Sequence, residues 1–243
     1  MASLAENIQG VQARIARAAE RAGRKSEDVL LLAISKTFPP EVIRAAYDAG
    51  LRCFGENRVQ EAKAKIPELP SDIHWHLVGH LQSNKARDAV EMFEMIHSVD
   101  SVKLATELER WADRASKRIP VLLEVNVAGE SSKFGLKPEL LIETARQIAA
   151  FKRLELQGLM TVPPLLREIE EVRPFFRKLR ELKAGVEQVL GVLLPHLSMG
   201  MSHDFEIAVE EGATIVRVGT SIFGERRTLT QQRDATSGSS EDN

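Results

Sequence analysis

The chain has 243 residues, 43% of them hydrophobic and 28% charged, which is enough to bury a large core in one or two domains. Its formal net charge of −2 gives no basic surface that would favour nucleic acid, so any anion must bind at a local site. The single cysteine, Cys53, excludes an internal disulfide. The sequence contains neither a run of about 18 apolar residues, which would indicate a membrane span, nor a signal-peptide core, which would indicate export. We expect a cytoplasmic globular protein without nucleic acid or membrane partners.

The predicted elements alternate between strands and helices along the chain. After an amphipathic N-terminal helix, the apolar run "VLLLAISK" predicts a strand that is buried on both faces and ends at Lys36. Helical patterns follow from Pro40 to Gly50 and, after the short strand "RCFGE", from Asn57 to about Ile66. Further strands are predicted from "IHWHLVG", "MIHSV", "PVLLEVNV", "LELQGLMTV" and "HLSMG", each followed by a helical pattern, and from "TIVRVGTSIFG".

This alternation predicts an α/β fold with a parallel sheet. About eight strands in a chain of this length fit a closed (β/α)8 TIM barrel with an extra N-terminal helix better than an open doubly wound sheet, which is the alternative. Residues 1–226 are predicted to form the barrel domain, and the polar segment 227–243 is expected to be disordered. In such barrels the active site lies at the carboxyl ends of the strands.

Small and polar residues follow the last two predicted strands. The segment "SMGMSHDFE" places Gly200 and Ser202 before a helix, and "RVGTSIFG" places Gly219 and Thr220 where the eighth strand turns. Glycine allows a ligand to approach the backbone, amide groups at a helix start favour anions, and barrel enzymes often bind phosphate between these two loops. We therefore predict a phosphate site, with ordinary cap and turn residues as the alternative.

A lysine and an arginine extend this prediction. Lys36 at a barrel mouth suits an imine with the aldehyde of a phosphorylated compound, because partial desolvation lowers its pKa and frees the amine. A sugar-phosphate aldolase and a pyridoxal 5′-phosphate site both fit. Arg217 shares a strand face with Gly219, and a flat cationic donor suits the pyridine nitrogen of the second ligand, although a surface salt bridge is the alternative.

Seven segments also carry a resemblance to a known family: "LLAISKT", "FGENRVQE", "HWHLVGHLQSNK", "NVAGESSKFG", "GLMTV", "LSMGMSHD" and "VRVGTSIFG". The chain closely resembles the pyridoxal phosphate homeostasis protein family, which is similar to the N-terminal barrel of alanine racemase. The resemblance implies that pyridoxal 5′-phosphate forms a Schiff base with Lys36, that Arg217 lies by the pyridine nitrogen, and that Ser202, Gly219 and Thr220 hold the phosphate. It adds Asn57, Ser198 and Met201 to the site, with His80 as a further candidate.

Two functions fit this site. One is a protein that sequesters pyridoxal 5′-phosphate and delivers it to apo-enzymes that need it; the other is an amino-acid racemase. Arginine cannot accept a proton, so the pyridine nitrogen should stay unprotonated and the ring a weak electron sink. Racemases of similar fold take a tyrosine base from a second domain, which we do not expect here, and Tyr47 is expected away from the mouth. We favour the binding protein, acting as a monomer, over an enzyme.

No metal site is predicted. His74 and His76 share a strand face, but neither a carboxylate nor a cysteine completes a ligand set. Glu124 and Asn126 are expected to form hydrogen bonds inside the barrel. The segment "SSKFG" is expected to form a loop over the mouth.

Overall fold

The structure is a computed structural model that describes residues 3–130, 133–164 and 166–225. Within these residues, eight parallel strands close into a barrel in which each strand pairs with its neighbours in sequence and the eighth pairs with the first. The closed (β/α)8 barrel is confirmed and the open sheet is wrong. The segment 227–243, predicted to be disordered, and two residues of the predicted mouth loop, Ser131 and Ser132, lie outside the described residues.

The strands are β1 (Leu30–Ile34), β2 (Cys53–Glu56), β3 (His74–Leu77), β4 (Met95–Val99), β5 (Ile119–Glu124), β6 (Leu154–Met160), β7 (His196–Ser198) and β8 (Ile215–Val218).

Helices connect the strands and surround the barrel. None of the helices in the described ranges is long and apolar enough to cross a membrane. They are α1 (Leu4–Arg21), α2 (Pro40–Asp48), α3 (Val59–Lys65), α4 (Ala86–Met92), α5 (Val102–Arg114), α6 (Leu141–Ala149), α7 (Arg173–Leu190), α8 (Phe205–Glu210) and α9 (Thr220–Phe223).

The extra N-terminal helix, α1, is confirmed. The Ser3 hydroxyl accepts a hydrogen bond from the Glu6 N–H while the Glu6 carboxylate accepts one from the Ser3 N–H, a reciprocal cap that fixes the helix start. The helix packs against α8 and α9, and Arg14 forms an ion pair with Glu206 of α8 at 2.8 Å. It therefore adds a layer outside the barrel.

Two helices begin later than the sequence pattern predicts. The helix after β2 begins at Val59 instead of Asn57, and Gly79 packs so closely on this turn that an added Cβ would lie 2.2 Å from the Asn57 carbonyl oxygen. The helix expected from about residue 167 begins at Arg173, next to a proline in its first turn, a position that suits a residue without an N–H. In the first case the delay keeps Asn57 at the mouth.

The inside of the barrel changes from apolar to polar along the strands. Outward side chains pack beneath the helices, whereas the inward ones form a smaller apolar cluster of Leu32, Ile34, Met95, Leu122, Met160 and Ile215. Two residues further along β4, β5 and β8 come His97, Glu124 and Arg217, and all three are buried. Polar groups are therefore held in the barrel interior on the side of its C-terminal mouth.

Candidate functional site

A cavity of about 280 Å³ opens at the C-terminal mouth of the barrel. The predicted site residues that line it are Lys36, Asn57, Met201, Ser202, Arg217, Gly219 and Thr220. Ser198 does not line the cavity, but it lies buried beneath it and contacts Arg217. The structure thus brings together residues that follow β1, β2, β7 and β8.

Four lining residues were missed by the sequence analysis: Ile34, Val78, Val162 and His203. Strand alternation could have indicated the first two, because Ile34 lies two residues before Lys36 and Val78 two residues after the inward-facing His76. Val162 and His203 lie in loops beyond the strands, where no periodicity applies. Ile34, Val78 and Val162 add apolar surface to the cavity lining.

Lys36 is the second residue after the end of β1, and the residues on either side of it are held in place. The Ser35 N–H donates to the Gly55 carbonyl at 3.0 Å, which continues the ladder between β1 and β2. Thr37 has a positive φ of 69°, a left-handed conformation that is uncommon for a β-branched residue. The lysine side chain itself is half-buried. The local backbone therefore presents Lys36 at the mouth in a defined direction.

Arg217 lies at the floor of the cavity and is 5% exposed. Its guanidinium donates to the Ser198 hydroxyl oxygen and to the Thr161 carbonyl oxygen, each at 2.8 Å. Burial lowers the pKa of Arg217 to about 10, so the guanidinium remains protonated at neutral pH. The arginine is thus a fixed cationic donor instead of a surface ion-pair residue, which was the alternative prediction.

Two histidines extend the hydrogen bonds of Arg217 across the barrel interior. Nδ1 of His97 lies 2.9 Å from the Ser198 hydroxyl oxygen, and Nε2 of His97 lies 3.0 Å from Nδ1 of His76. Burial lowers the pKa of His76 to about 4 and holds the pKa of His97 well below its usual value, with the charge of Arg217 contributing to the second shift. Both rings are therefore neutral at neutral pH.

Glu124 also points into the interior from β5, where hydrogen bonds were predicted for it and for Asn126. The Asn126 side chain instead forms hydrogen bonds to the backbone of Gly129, Glu130 and Lys133 in the following loop. Burial and the nearby Asp100 together raise the pKa of Glu124 to about 7, against the opposing charge of Arg217. Its Oε2 atom has no hydrogen-bond partner within the described part of the chain. Burial therefore favours the neutral form of Glu124, which forms no ion pair with Arg217.

Ser202 joins the loops after β7 and β8. Its hydroxyl oxygen accepts hydrogen bonds from the N–H groups of Gly219 and Ser221, both at 3.3 Å. Gly200 has a φ of 90°, and a Cβ at this position would lie 2.5 Å from the Cβ of Ala208, so glycine is required for this turn. Small residues and backbone N–H groups therefore surround this end of the cavity.

His80 lies outside the cavity lining. Its Nδ1 is 3.2 Å from an Asp100 carboxylate oxygen, and its ring stacks on Phe134 with the centroids 3.8 Å apart. Lys133, from the predicted mouth loop, pairs with Glu130 at 3.2 Å. These contacts connect the segments after β3, β4 and β5 without adding a group to the cavity.

A metal site is not found in residues 3–130, 133–164 and 166–225, where no three histidine, cysteine or carboxylate side chains gather in a suitable arrangement. His74 is directed to Glu94, with 2.7 Å between Nδ1 and the carboxylate oxygen. His76 is directed to His97. The two histidines of the sequence motif therefore have separate partners.

The comparisons with known proteins agree with the motifs. The family model for the alanine racemase N-terminal domain matches residues 4–227. The pyridoxal phosphate homeostasis protein of Aquifex aeolicus is 49% identical over 91% of this chain and 98% of its own length, and that of Pseudomonas aeruginosa is 45% identical over 93% and 97%.

Solved structures show the same relationship. The structure of PipY from Synechococcus elongatus with pyridoxal phosphate bound has a TM-score of 0.80 and 40% identity, and the match covers 91% of this chain and 100% of that chain. Alanine racemase from Corynebacterium glutamicum shares only the fold, with a TM-score of 0.64 and 16% identity over 91% of this chain and 62% of that chain. The chain belongs to the pyridoxal phosphate homeostasis protein family, whose barrel is of the alanine racemase N-terminal type.

Proposed function

We propose that the chain binds pyridoxal 5′-phosphate at the mouth of its barrel, holds it as a Schiff base on Lys36, and serves its homeostasis by sequestering and delivering it. The observation that carries this proposal is the convergence of Lys36, Arg217 and the Ser202 loop on one cavity. Relatives named as pyridoxal phosphate homeostasis proteins, and a PipY structure with the cofactor bound, support it.

The cavity fits the size and chemistry of this cofactor. Its volume of about 280 Å³ is close to the lower limit of ligand pockets, about 300 Å³, which suits one substituted pyridine ring with a phosphate. The glycine and hydroxyl residues of the loops after β7 and β8 suit the phosphate group, since small residues allow the backbone N–H groups to approach an anion. Ile34 and Val78 suit the apolar face of a ring.

Each polar residue has a proposed part in holding the ligand. Pyridoxal 5′-phosphate supplies an aldehyde that condenses with a primary amine. Lys36 offers that amine in a half-buried position in the cavity lining. Arg217 donates to the pyridine nitrogen, while Ser202, Gly219 and Thr220 bind the phosphate. Asn57 and Met201 contact the ligand from the sides, and Ser198 keeps the guanidinium in place.

Binding and delivery, without amino-acid turnover, is the activity that we propose. Arg217 remains charged, and its guanidinium donates hydrogen bonds but cannot accept one. It therefore leaves the pyridine nitrogen unprotonated and the ring a weak electron sink. Tyr47 donates its hydroxyl to Asp72 at 2.8 Å, near the opposite rim, and does not line the cavity. Neither observation favours the racemase, which remains the alternative.

The acting unit that we propose is a single barrel domain, residues 1–226. All the groups assigned to the site come from one chain, so a monomer is sufficient to bind the cofactor. The single cysteine, Cys53, is half-buried, and a chain with one cysteine suits a reducing cytoplasm. Apo-enzymes that use pyridoxal 5′-phosphate are the proposed recipients.

The position of the imine tests the binding proposal directly. Borohydride reduction of the loaded protein, followed by peptide mapping, should place the cofactor on the peptide that contains Lys36. Lys36→Ala should fold but lack the visible imine band, whereas Lys133→Ala, which removes another lysine near the mouth, should keep it. A band that persists in Lys36→Ala, or an adduct on another lysine, would reject Lys36 as the attachment point.

Delivery is tested separately from binding. The loaded protein is incubated with an apo-enzyme and, in parallel, with each common amino acid in deuterated water. We expect the cofactor to be transferred to the apo-enzyme. We also expect deuterium uptake at the α-carbon to be much slower than about 1 s⁻¹, the lower end of common enzyme turnover. Turnover at or above that rate with any amino acid would favour the racemase over the carrier.

A further inference from the structure

Three charged side chains outside the cavity lining hold the backbone on both sides of Lys36. The ammonium group of Lys65 donates to the Ser35 carbonyl oxygen at 3.1 Å, and the Glu61 carboxylate accepts a hydrogen bond from the Thr37 N–H at 3.0 Å. Ser35 and Thr37 are the two neighbours of Lys36 in sequence. One set of side chains from α3 therefore fixes the peptide groups that flank the lysine.

Glu56, the last residue of β2, completes this set. Its Oε1 accepts hydrogen bonds from the Ser35 hydroxyl at 2.8 Å and from the Lys65 ammonium at 3.0 Å. Lys65 also lies 3.5 Å from Glu61 on the next turn of α3. We call Glu56, Glu61 and Lys65 the α3 cluster. It links β1, β2 and α3 directly behind Lys36.

Thr37 indicates why such contacts are needed. Its φ of 69° brings Cβ close to the backbone, which disfavours this conformation for any residue with a side chain and most of all for a β-branched one. Such a residue keeps this conformation only when surrounding contacts fix it. The hydrogen bond from the Thr37 N–H to Glu61 is such a contact, and it is made at the strained residue itself.

The α3 cluster is expensive to bury, which argues against a merely incidental arrangement. Glu56 is fully buried and Lys65 is 8% exposed, while the second oxygen of Glu56 has no hydrogen-bond partner in the described ranges. Replacing buried ion pairs by apolar residues is often neutral or stabilising, so such a pair is weak evidence for a role in stability. A role in geometry fits its contacts better, because they end on the backbone beside Lys36.

We propose that the α3 cluster positions Lys36 for condensation with an aldehyde, so that Glu56, Glu61 and Lys65 are positioning residues for cofactor capture. This inference rests on the proposed function. The cluster acts before the ligand arrives: it fixes the start of the lysine side chain, which then has fewer conformations to lose when its amine bonds to the cofactor.

Glu61→Ala is the best variant for the test, because the Glu61 side chain is 26% exposed and its removal leaves the pair of Glu56 and Lys65 intact. Two ligands separate positioning from pocket binding. Pyridoxal 5′-phosphate condenses with the amine, whereas pyridoxine 5′-phosphate has an alcohol in place of the aldehyde and cannot. Glu61→Ala should weaken imine formation about tenfold, the effect of one hydrogen bond to a charged group, and leave affinity for the alcohol unchanged.

One rescue variant, one added substitution and one control complete the test. Glu61→Gln should restore much of the imine affinity, because its amide oxygen can accept from the Thr37 N–H. Adding Thr37→Gly to Glu61→Ala should not restore it, since glycine removes the Cβ clash but gives the backbone beside Lys36 more conformations to lose. Glu68→Ala removes an exposed carboxylate at the end of the same helical segment and should behave as the parent protein does.

The outcomes distinguish this inference from the proposed function. Wild-type imine affinity in Glu61→Ala, or equal weakening of both ligands, would overturn the positioning role while the parent protein still forms its imine on Lys36. A parent protein that forms no imine on Lys36 would overturn the proposed function, and the positioning role with it. Selective loss of imine affinity in Glu61→Ala, with rescue by Glu61→Gln and none by Thr37→Gly, would establish the role of the α3 cluster.

Discussion

Two buried cations near the cavity, Lys65 on the side of Lys36 and Arg217 at the floor, are stabilised in different ways. We call these the lysine side and the arginine side. On the lysine side, Lys65 is neutralised by Glu56 at 3.0 Å, and the pair is directed to the backbone beside Lys36. On the arginine side, Arg217 has a hydroxyl and a carbonyl oxygen as its partners, and the histidines beyond Ser198 are neutral. A paired charge serves to hold a chain segment, whereas an unneutralised charge remains available to a ligand. In the function that we propose, the lysine side therefore serves to position the amine and the arginine side to supply a charge to the ligand.

Breaking the pair on the lysine side should have the largest effect on stability. Lys65→Ala leaves the Glu56 carboxylate buried without a counter-charge, and we expect a loss of about 3–5 kcal/mol in the free energy of unfolding. Denaturant unfolding measures this loss. Lys63→Ala is the matched control, because Lys63 is on the same helix but its pair with Asp88 is exposed, and its loss should be about 1 kcal/mol or less. Equal losses in the two variants would remove the basis of the comparison.

The neutral histidines of the arginine side should make the free energy of unfolding depend on pH. The pKa of His76 is about 4 in the folded protein and about 6.5 in an unfolded chain, so the unfolded chain binds the proton first as the pH falls. This costs about 3 kcal/mol of stability between pH 6.5 and pH 4, by 1.36 kcal/mol per pKa unit. The pKa of Glu56 is raised by burial, so Glu56 contributes in the opposite direction.

Unfolding of the parent protein and of His76→Gln at several pH values measures this contribution. His76→Gln should reduce the loss between pH 6.5 and pH 4 by about the contribution of His76, with the loss due to His97 remaining, and His74→Gln, on the exposed end of the same strand, is the matched control. If His76→Gln keeps the full slope, then His76 is not the group that takes up the proton.

The smallest effect is expected for the residues that are proposed to bind the phosphate, which belong to neither the lysine side nor the arginine side. Ser202→Ala removes one proposed hydrogen bond to a charged group, worth about 1.5–3 kcal/mol, so it should weaken binding of pyridoxal 5′-phosphate more than binding of pyridoxal. Thr220→Val should act in the same direction. Titration of both ligands by absorption measures the difference. A similar loss for the two ligands would place the phosphate away from these residues.

The sequence was sufficient to predict the residues that follow the strands, because strand alternation and parallel pairing bring the carboxyl ends together. Lys36, Arg217 and Ser202 were placed in this way, and the structure puts them around one cavity. Asn57 was expected in a helix, and its place in the turn depends on a close contact with Gly79 that has no local signal.

The α3 cluster could not be predicted, because its members come from different elements. Glu61 and Lys65 are four residues apart, which indicates an ion pair on a helix surface, but nothing in the sequence places that pair behind Lys36. His97 was likewise hidden: β4 has an irregular register between Ile96 and Val99, so the direction of its side chains depends on its pairing with β5. Tertiary packing, and not local pattern, decides both features.

The pairing of β1 with β8 has a consequence for folding. Leu32 opposite Arg217 is among the most distant partners along the chain, so closing this seam costs more loop entropy than joining any two consecutive strands. Lys36 follows one strand of the seam and Arg217 lies in the other, so a partly folded barrel with an open seam lacks the site altogether. A cofactor that bonds to both strands would hold this seam closed and would slow the rate at which the barrel reopens.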